Sequence, residues 1–184
     1  MATRTARTWK KLGSTPGPDL RIFQSRFDRL ENPRNAQCLD ALVLEANDWV
    51  NVVALTTAGN VVLVEQFRFG AGKVSLEVPA GVVETGEDPL DAAKRELLEE
   101  TGYVSEEWAS MGSVDANPAF MNNTCHLWLA TSAVKTGNQR LDIGEDIVAI
   151  ELSPEALREA IEANRLRNAL SQLALSKVFD LRQG

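Results

Sequence analysis

Residues 81 to 103 read Gly-Val-Val-Glu-Thr-Gly-Glu-Asp-Pro-Leu-Asp-Ala-Ala-Lys-Arg-Glu-Leu-Leu-Glu-Glu-Thr-Gly-Tyr. From about Pro89 to Thr101 this stretch has the marks of a helix. Asp88 suits the N-cap, Pro89 the first helical position, and Asp91 the first turn, where the helix dipole favours a carboxylate. Gly102 is placed to stop it. Leu90, Ala93 and Leu97 form one apolar stripe. Glu96, Glu99 and Glu100 crowd into little more than one turn, and like charges at that spacing cost about 0.2–0.5 kcal/mol per pair. A hard divalent cation, which prefers carboxylate oxygens, is the natural neutraliser.

Gly81, Glu87, Arg95, Glu96, Glu99, Glu100 and Gly102 realise the spacing Gly-x5-Glu-x7-Arg-Glu-x-x-Glu-Glu-x-Gly, with Leu97 in an aliphatic slot. The pattern resembles the Nudix box, from which it departs only in having Tyr103 where an aliphatic residue is usual. So many fixed positions make this a specific signal. The resemblance implies an α/β (α+β) fold, an α/β/α sandwich with a mixed sheet and a loop–helix–loop. It also implies hydrolysis of a nucleoside diphosphate linked to another group, driven by one to three Mg²⁺ or Mn²⁺ ions. The chemistry agrees, because a diphosphate must be charge-neutralised and a water made nucleophilic before it is cleaved. By the resemblance, Glu96 and Glu100 are the chief metal ligands, with Glu99 and the Ala80 carbonyl assisting. Arg95 orients the glutamates. Gly81, Glu87 and Gly102 support the site.

Around the box the chain alternates strand-like and helical stretches. Gly13 to Pro18 reads as a turn or loop. Strands are expected at Arg21–Leu30, Leu39–Leu44, Val50–Leu55, Val61–Phe67, Ser75–Val78, Cys125–Ala130 and Ile147–Leu152. Thr57-Ala58-Gly59-Asn60 is a hairpin turn. Ser153-Pro154 opens a second helix to about Ala163, and Arg167–Leu181 reads as a third. Two parts are expected: residues 1–48, an N-terminal antiparallel sheet acting as a dimerisation arm, and residues 49–184, the catalytic domain.

Further segments resemble the ADP-ribose pyrophosphatase branch, which cleaves nucleoside diphosphate sugars: Val64-Glu65-Gln66-Phe67-Arg68, Gly144-Glu145-Asp146-Ile147, Asn168–Leu175 and Pro118. The resemblance implies Arg68 as a phosphate contact, since an Arg fork matches a diphosphate. It implies Glu145 as the base or water-positioning group, joining Glu99 and Arg95 in the catalytic set. Asp142 and Asp146 compete for that role. Ala119 follows Pro118 where the branch often has Gly, which points to a sugar preference other than strict ADP-ribose. Trp49 is the first choice for stacking on the base, with Phe23, Phe27 and Trp108 behind it. Arg34 is expected to reach the nucleotide from a partner arm, in a homodimer. His126 reads as a half-buried structural residue.

The formal charge of −7 disfavours binding to polymeric nucleic acid. No apolar run reaches membrane-spanning length. Cys38 and Cys125 lack metal-ligand spacing and read as reduced core thiols of a cytoplasmic protein. The basic stretch Met1–Lys11 reads as a solvated tail leading into a first strand. The rival functions are hydrolysis of another nucleoside diphosphate derivative, such as a dinucleotide, or of a nucleoside triphosphate, and a nucleotide-binding module without turnover.

Overall fold

A computed structural model describes residues 5–181; the first four residues of the expected tail lie outside them. The chain forms two compact units, one of the residues up to Ala46 together with Asp115–Asn123, the other of Asn47–Val114 with the residues from Thr124 onward.

The first unit holds an antiparallel sheet of β1 (Lys10–Asp19), β2 (Gln24–Glu31) and β3 (Cys38–Glu45). The excursion from Asp115 to Asn123 adds a bridge to β3, where Leu44 N–H donates to the Phe120 carbonyl at 2.7 Å. Strand β1 overturns the reading of Gly13–Pro18 as a loop. Its Gly and Pro residues sit on an edge strand, where a missing N–H is tolerated, and its register slips at two irregularities. Charge holds it in place. Asp28, only 6% exposed, accepts from Ser14 at 2.5 Å and pairs with Lys11 at 2.8 Å and Arg26 at 3.0 Å. Those partners, Lys11 first, hold its carboxyl well below the usual range. Strand β2 starts later than expected, because Arg21 takes a positive φ in the turn before it. Cys38 is exposed at the start of β3, which corrects its placement in a core, whereas Cys125 is buried in the second unit.

The second unit is built on a mixed sheet. Strands β4 (Trp49–Thr56), β5 (Val61–Arg68), β10 (Thr124–Lys135) and β11 (Ile147–Leu152) run in the order β11-β5-β4-β10. Strand β10 lies parallel to β4, and β5 and β11 pair antiparallel. The short strands β6 (Lys73–Glu77) and β7 (Ala80–Val82) pair with β5 and β4. Strands β8 (Tyr103–Val104) and β9 (Glu107–Asp115) add to β10 and carry no clear sequence alternation. Successive side chains on β4 point to opposite faces. Val50, Val52 and Ala54 pack with Ala92, Ala93 and Leu97 of α1 (Pro89–Thr101). Val53 packs on the other face with Leu157 and Ala160 of α2 (Pro154–Glu162) and Ala174 and Leu175 of α3 (Ala169–Ser176). Burying each of these larger aliphatic side chains contributes about 1.5–3 kcal/mol. The result is the expected three-layer α/β/α sandwich. Helix α3 is shorter than the 167–181 reading, starting at the Asn168 cap and ending at Lys177.

Candidate active site

Helix α1 forms as its sequence demands. The Asp88 side chain accepts from Leu90 N–H, Pro89 follows, and Gly102 closes the helix at φ 74°. Glycine is needed at that φ and also for space, because a Cβ on Gly102 would run into the Gly137 carbonyl. The segment from Thr136 to Arg140 caps the helix. Thr136 N–H donates to Gly102 O at 2.9 Å and Arg140 N–H to Glu99 O at 2.8 Å. Gln139 Nε2 donates to Glu100 O at 2.5 Å and to Ile147 O at 3.0 Å, tying α1 to β11. No sequence signal marked Gln139, because its role depends on which carbonyls the fold leaves unpaired.

Tyr103, the departure from the box, has a job outside the site. Its hydroxyl donates to Glu151 Oε2 on β11 at 2.8 Å, and Asn60 and Thr56 donate to the other oxygen of the same carboxylate at 2.8 and 3.2 Å.

Arg95 is the hub of the acidic helix. Its Nε and Nη2 each lie 2.9 Å from the Glu87 carboxylate, its Nη1 is 2.7 Å from Glu96 and 3.2 Å from Glu99, and Nη2 donates to Val82 O at 2.9 Å. These contacts tie Arg95 to three acids of the box and to the loop before the helix. Glu87 holds the Gly81–Asp88 loop further by accepting from Glu84 N–H at 2.8 Å. The Arg95 bonds keep the Glu87 carboxyl below its usual range.

Glu100 is 3% exposed and Glu96 8%. Glu100 accepts from the Ala80 N–H at 2.9 Å. Burial, with the charges of Glu96 and Glu145 adding to it, pushes Glu100 up to about 8. Burial also raises Glu96 in spite of Arg95, with Glu99 and Glu145 contributing in the same sense. Gly81 is glycine for want of space: a Cβ there would fall on the Glu96 carboxylate. Among the described residues no three acidic, imidazole or thiol groups converge into a finished cation cage, since Arg95 takes oxygens of Glu87, Glu96 and Glu99. The donor set nevertheless fits a hard cation. Burial and acidic neighbours disfavour the ionised form of both Glu96 and Glu100, a cation in place of the proton would stabilise that form, and carboxylate and carbonyl oxygens are what Mg²⁺ and Mn²⁺ bind.

Arg68 lies at the far end of β5 from the hairpin turn. Its Nε and Nη2 grip Glu77 at 3.0 and 2.7 Å, and Asn168 Nδ2 donates to the same carboxylate at 2.9 Å. Its fork is therefore engaged with Glu77, a partner the sequence did not reveal, while it still feels the charges of Glu100 and Glu145. Glu145 caps its own loop, accepting from Asp142 N–H at 2.9 Å. Its charge acts on both Glu96 and Glu100.

Trp49 packs against the core cluster on the α2–α3 face. Trp108 packs on the α1 side and donates to Ser105 O at 2.8 Å. His126 is half-buried, 3.0 Å from Asp48. Arg34, Phe23, Phe27 and Pro118 belong to the first unit.

The NUDIX domain model matches residues 47–173, which include every side chain of this cluster. The chain belongs to the NUDIX family. A "Methanol dehydrogenase activator" from Bacillus methanolicus is 33% identical over 156 residues, covering 84% of each chain. An "ADP-ribose pyrophosphatase" from Bacillus subtilis (strain 168) is 32% identical over 127 residues, covering 68% of this chain and 69% of the relative. A solved structure titled "Crystal structure of ADP compounds hydrolase" superposes with a TM-score of 0.83, covering 96% of this chain and 95% of that one at 18% identity, a likeness of fold. As a NUDIX hydrolase the chain is an enzyme acting on pyrophosphate bonds, and hydrolases of this family generally need divalent metal ions. Among the described residues no helix is long and apolar enough to cross a membrane.

Proposed function

We propose that the chain hydrolyses the diphosphate of ADP-ribose-like nucleoside diphosphate sugars to a nucleoside monophosphate and a sugar phosphate. The observation that carries this reading is the pair of buried, mutually repelling acids Glu96 and Glu100 beside the Arg95 hub. The relatives named ADP-ribose pyrophosphatase support the substrate class. Glu96 and Glu100 would hold Mg²⁺ or Mn²⁺, one to three ions, with Glu99 and the Ala80 carbonyl assisting. When bound, such ions neutralise phosphate charge and acidify a water. Glu145 accepts the proton of the attacking water, and Arg95 fixes the carboxylates. Arg68 meets a phosphate oxygen with the donors that Glu77 leaves free. Trp49, and Arg34 and Pro118 of the N-terminal unit, serve the nucleotide in a cytoplasmic homodimer built through the N-terminal sheet.

A second reading keeps the anhydride chemistry and changes the substrate to a dinucleotide. It is favoured by the near full-length match to a relative named as the activator of a dehydrogenase. A panel of ADP-ribose, other nucleotide sugars, dinucleotides and nucleoside triphosphates with Mg²⁺, scored by phosphate-monoester release, separates the two. Glu100→Gln should keep the fold, because the amide oxygen still accepts from Ala80, and should cut turnover by about two or more orders of magnitude. Undiminished turnover in that variant would remove Glu100 from the site, and a wild-type protein inert across the panel would leave a binding module.

A further inference from the structure

Gln66 is the one polar side chain on the α1 face of β5 whose buried amide has no use within the protein. The register of β5 with β11 is unbroken from Val61 to Gln66, so side chains alternate strictly along it. Val62 packs into the α1 cluster, which puts Val64, Gln66 and Arg68 on the same face. Gln66 lies opposite Ser75 of β6 and Ile147 of β11. The Arg68–Glu77 pair spans the Gln66–Ser75 row, because Arg68 and Glu77 stand in the rows on either side of it. The Ile147 carbonyl is taken by Gln139, and the Glu77 carboxylate by Arg68 and Asn168. Gln66 Nε2 is buried without a hydrogen-bond partner.

A buried donor left without an acceptor costs stability, and a methionine of similar shape would fill the position without that cost. Arg68, two residues along the same face, feels the charges of Glu100 and Glu145, and Ile147, opposite Gln66, lies two residues beyond Glu145. An anionic oxygen entering between Arg68 and the acidic helix therefore meets the face on which Gln66 stands.

We propose that Gln66 is a substrate-binding residue whose Nε2–H donates to a non-bridging oxygen of the diphosphate, beside Arg68. The inference rests on the proposed phosphoanhydride chemistry. It adds a neutral donor beside the Arg68 cation, giving the site a contact that outlasts the screening of charge by salt.

The test uses the full chain carrying Gln66→Met and Gln66→Glu, and reads three quantities: the metal-free melting temperature, the rise in that temperature caused by ADP with Mg²⁺, and kcat and KM for the best substrate of the panel. For Gln66→Met the metal-free protein should melt at the wild-type temperature or above it. The ADP-induced rise should shrink, and kcat/KM should fall by about ten- to a hundredfold, mostly through KM. Gln66→Glu, which keeps the shape and sets a carboxylate against the phosphate, should be worse than Gln66→Met in both ligand readouts. A Gln66→Met protein that melts lower and keeps its kcat/KM would show a structural role and overturn the inference, as would an undiminished ADP response. Should the wild type cleave nothing in the panel, the hydrolase reading falls by itself. The metal-free melting temperature and the ADP response still decide the role of Gln66.

Discussion

Gly81→Ala gives a sharp test of the site's construction. A Cβ on residue 81 would overlap the Glu96 carboxylate itself. The overlapped atoms are the far end of a flexible side chain, so Glu96 can swing aside and the backbone need not move. The fold survives and the position of one carboxylate does not. Displacing Glu96 breaks its 2.7 Å bond to Arg95 Nη1, while Arg95 keeps both contacts to Glu87. A hydrogen bond to a charged group contributes about 1.5–3 kcal/mol, and the partial exposure of Arg95 puts this one at the low end or below. The melting temperature should therefore fall by about 2–6 °C. Turnover should fall much further, because displacing a catalytic group by about 1 Å costs roughly a hundredfold. Circular dichroism melts and kcat/KM for the best substrate of the panel measure the two effects on one preparation. Wild-type kcat/KM in Gly81→Ala would mean that the observed seat of Glu96 is irrelevant to chemistry. A collapse of the fold would mean that the loop, rather than the side chain, bears the overlap.

Tyr103→Phe removes the hydroxyl bond to Glu151 and touches none of the clustered acids. A loss of about 0.5–1.5 kcal/mol with unchanged kcat/KM is expected in paired melting and kinetic measurements. The raised Glu100 carboxyl, at about 8, sets the sign of a pH effect. Its folded-state value exceeds the ordinary carboxylate value of about 4.3, so the folded protein holds a proton that the unfolded chain releases. Its stabilising effect is complete below the unfolded value and is lost as the pH rises towards 8. The melting temperature of the metal-free protein should thus decline between about pH 5 and pH 8, and the decline should shrink in Glu100→Gln. Millimolar Mg²⁺ should offset it increasingly at higher pH, since the ion takes the deprotonated carboxylate. A flat metal-free profile would show that Glu100 is not desolvated.

Helix α1 was legible residue by residue, because caps, proline and the stop glycine are local signals that act through nearest-neighbour backbone geometry. The continuous apolar runs of β4 and β5, buried on both faces, were legible for the same kind of reason. Strand β1 was not, because it is held by Lys11 and Ser14 against Asp28 on the next strand, and its stretch Gly13–Pro18, Gly-Ser-Thr-Pro-Gly-Pro, shows only turn formers. The end of α3 was misjudged because apolar residues after Ser176 continue the helical pattern into a packed tail containing Val178 and Phe179.

The linear order of residues was enough to bring Arg95, Glu96, Glu99 and Glu100 together on α1, since a helix of known pitch converts spacing directly into proximity. It did not show that Glu77 would occupy the fork of Arg68, that Gln139 would tie α1 to β11, or that Gln66 would be left without a partner. Those outcomes depend on which strands lie side by side and in which register, and on how much water the packed layers exclude. Pairings across dozens of residues become definite only when the chain closes on itself.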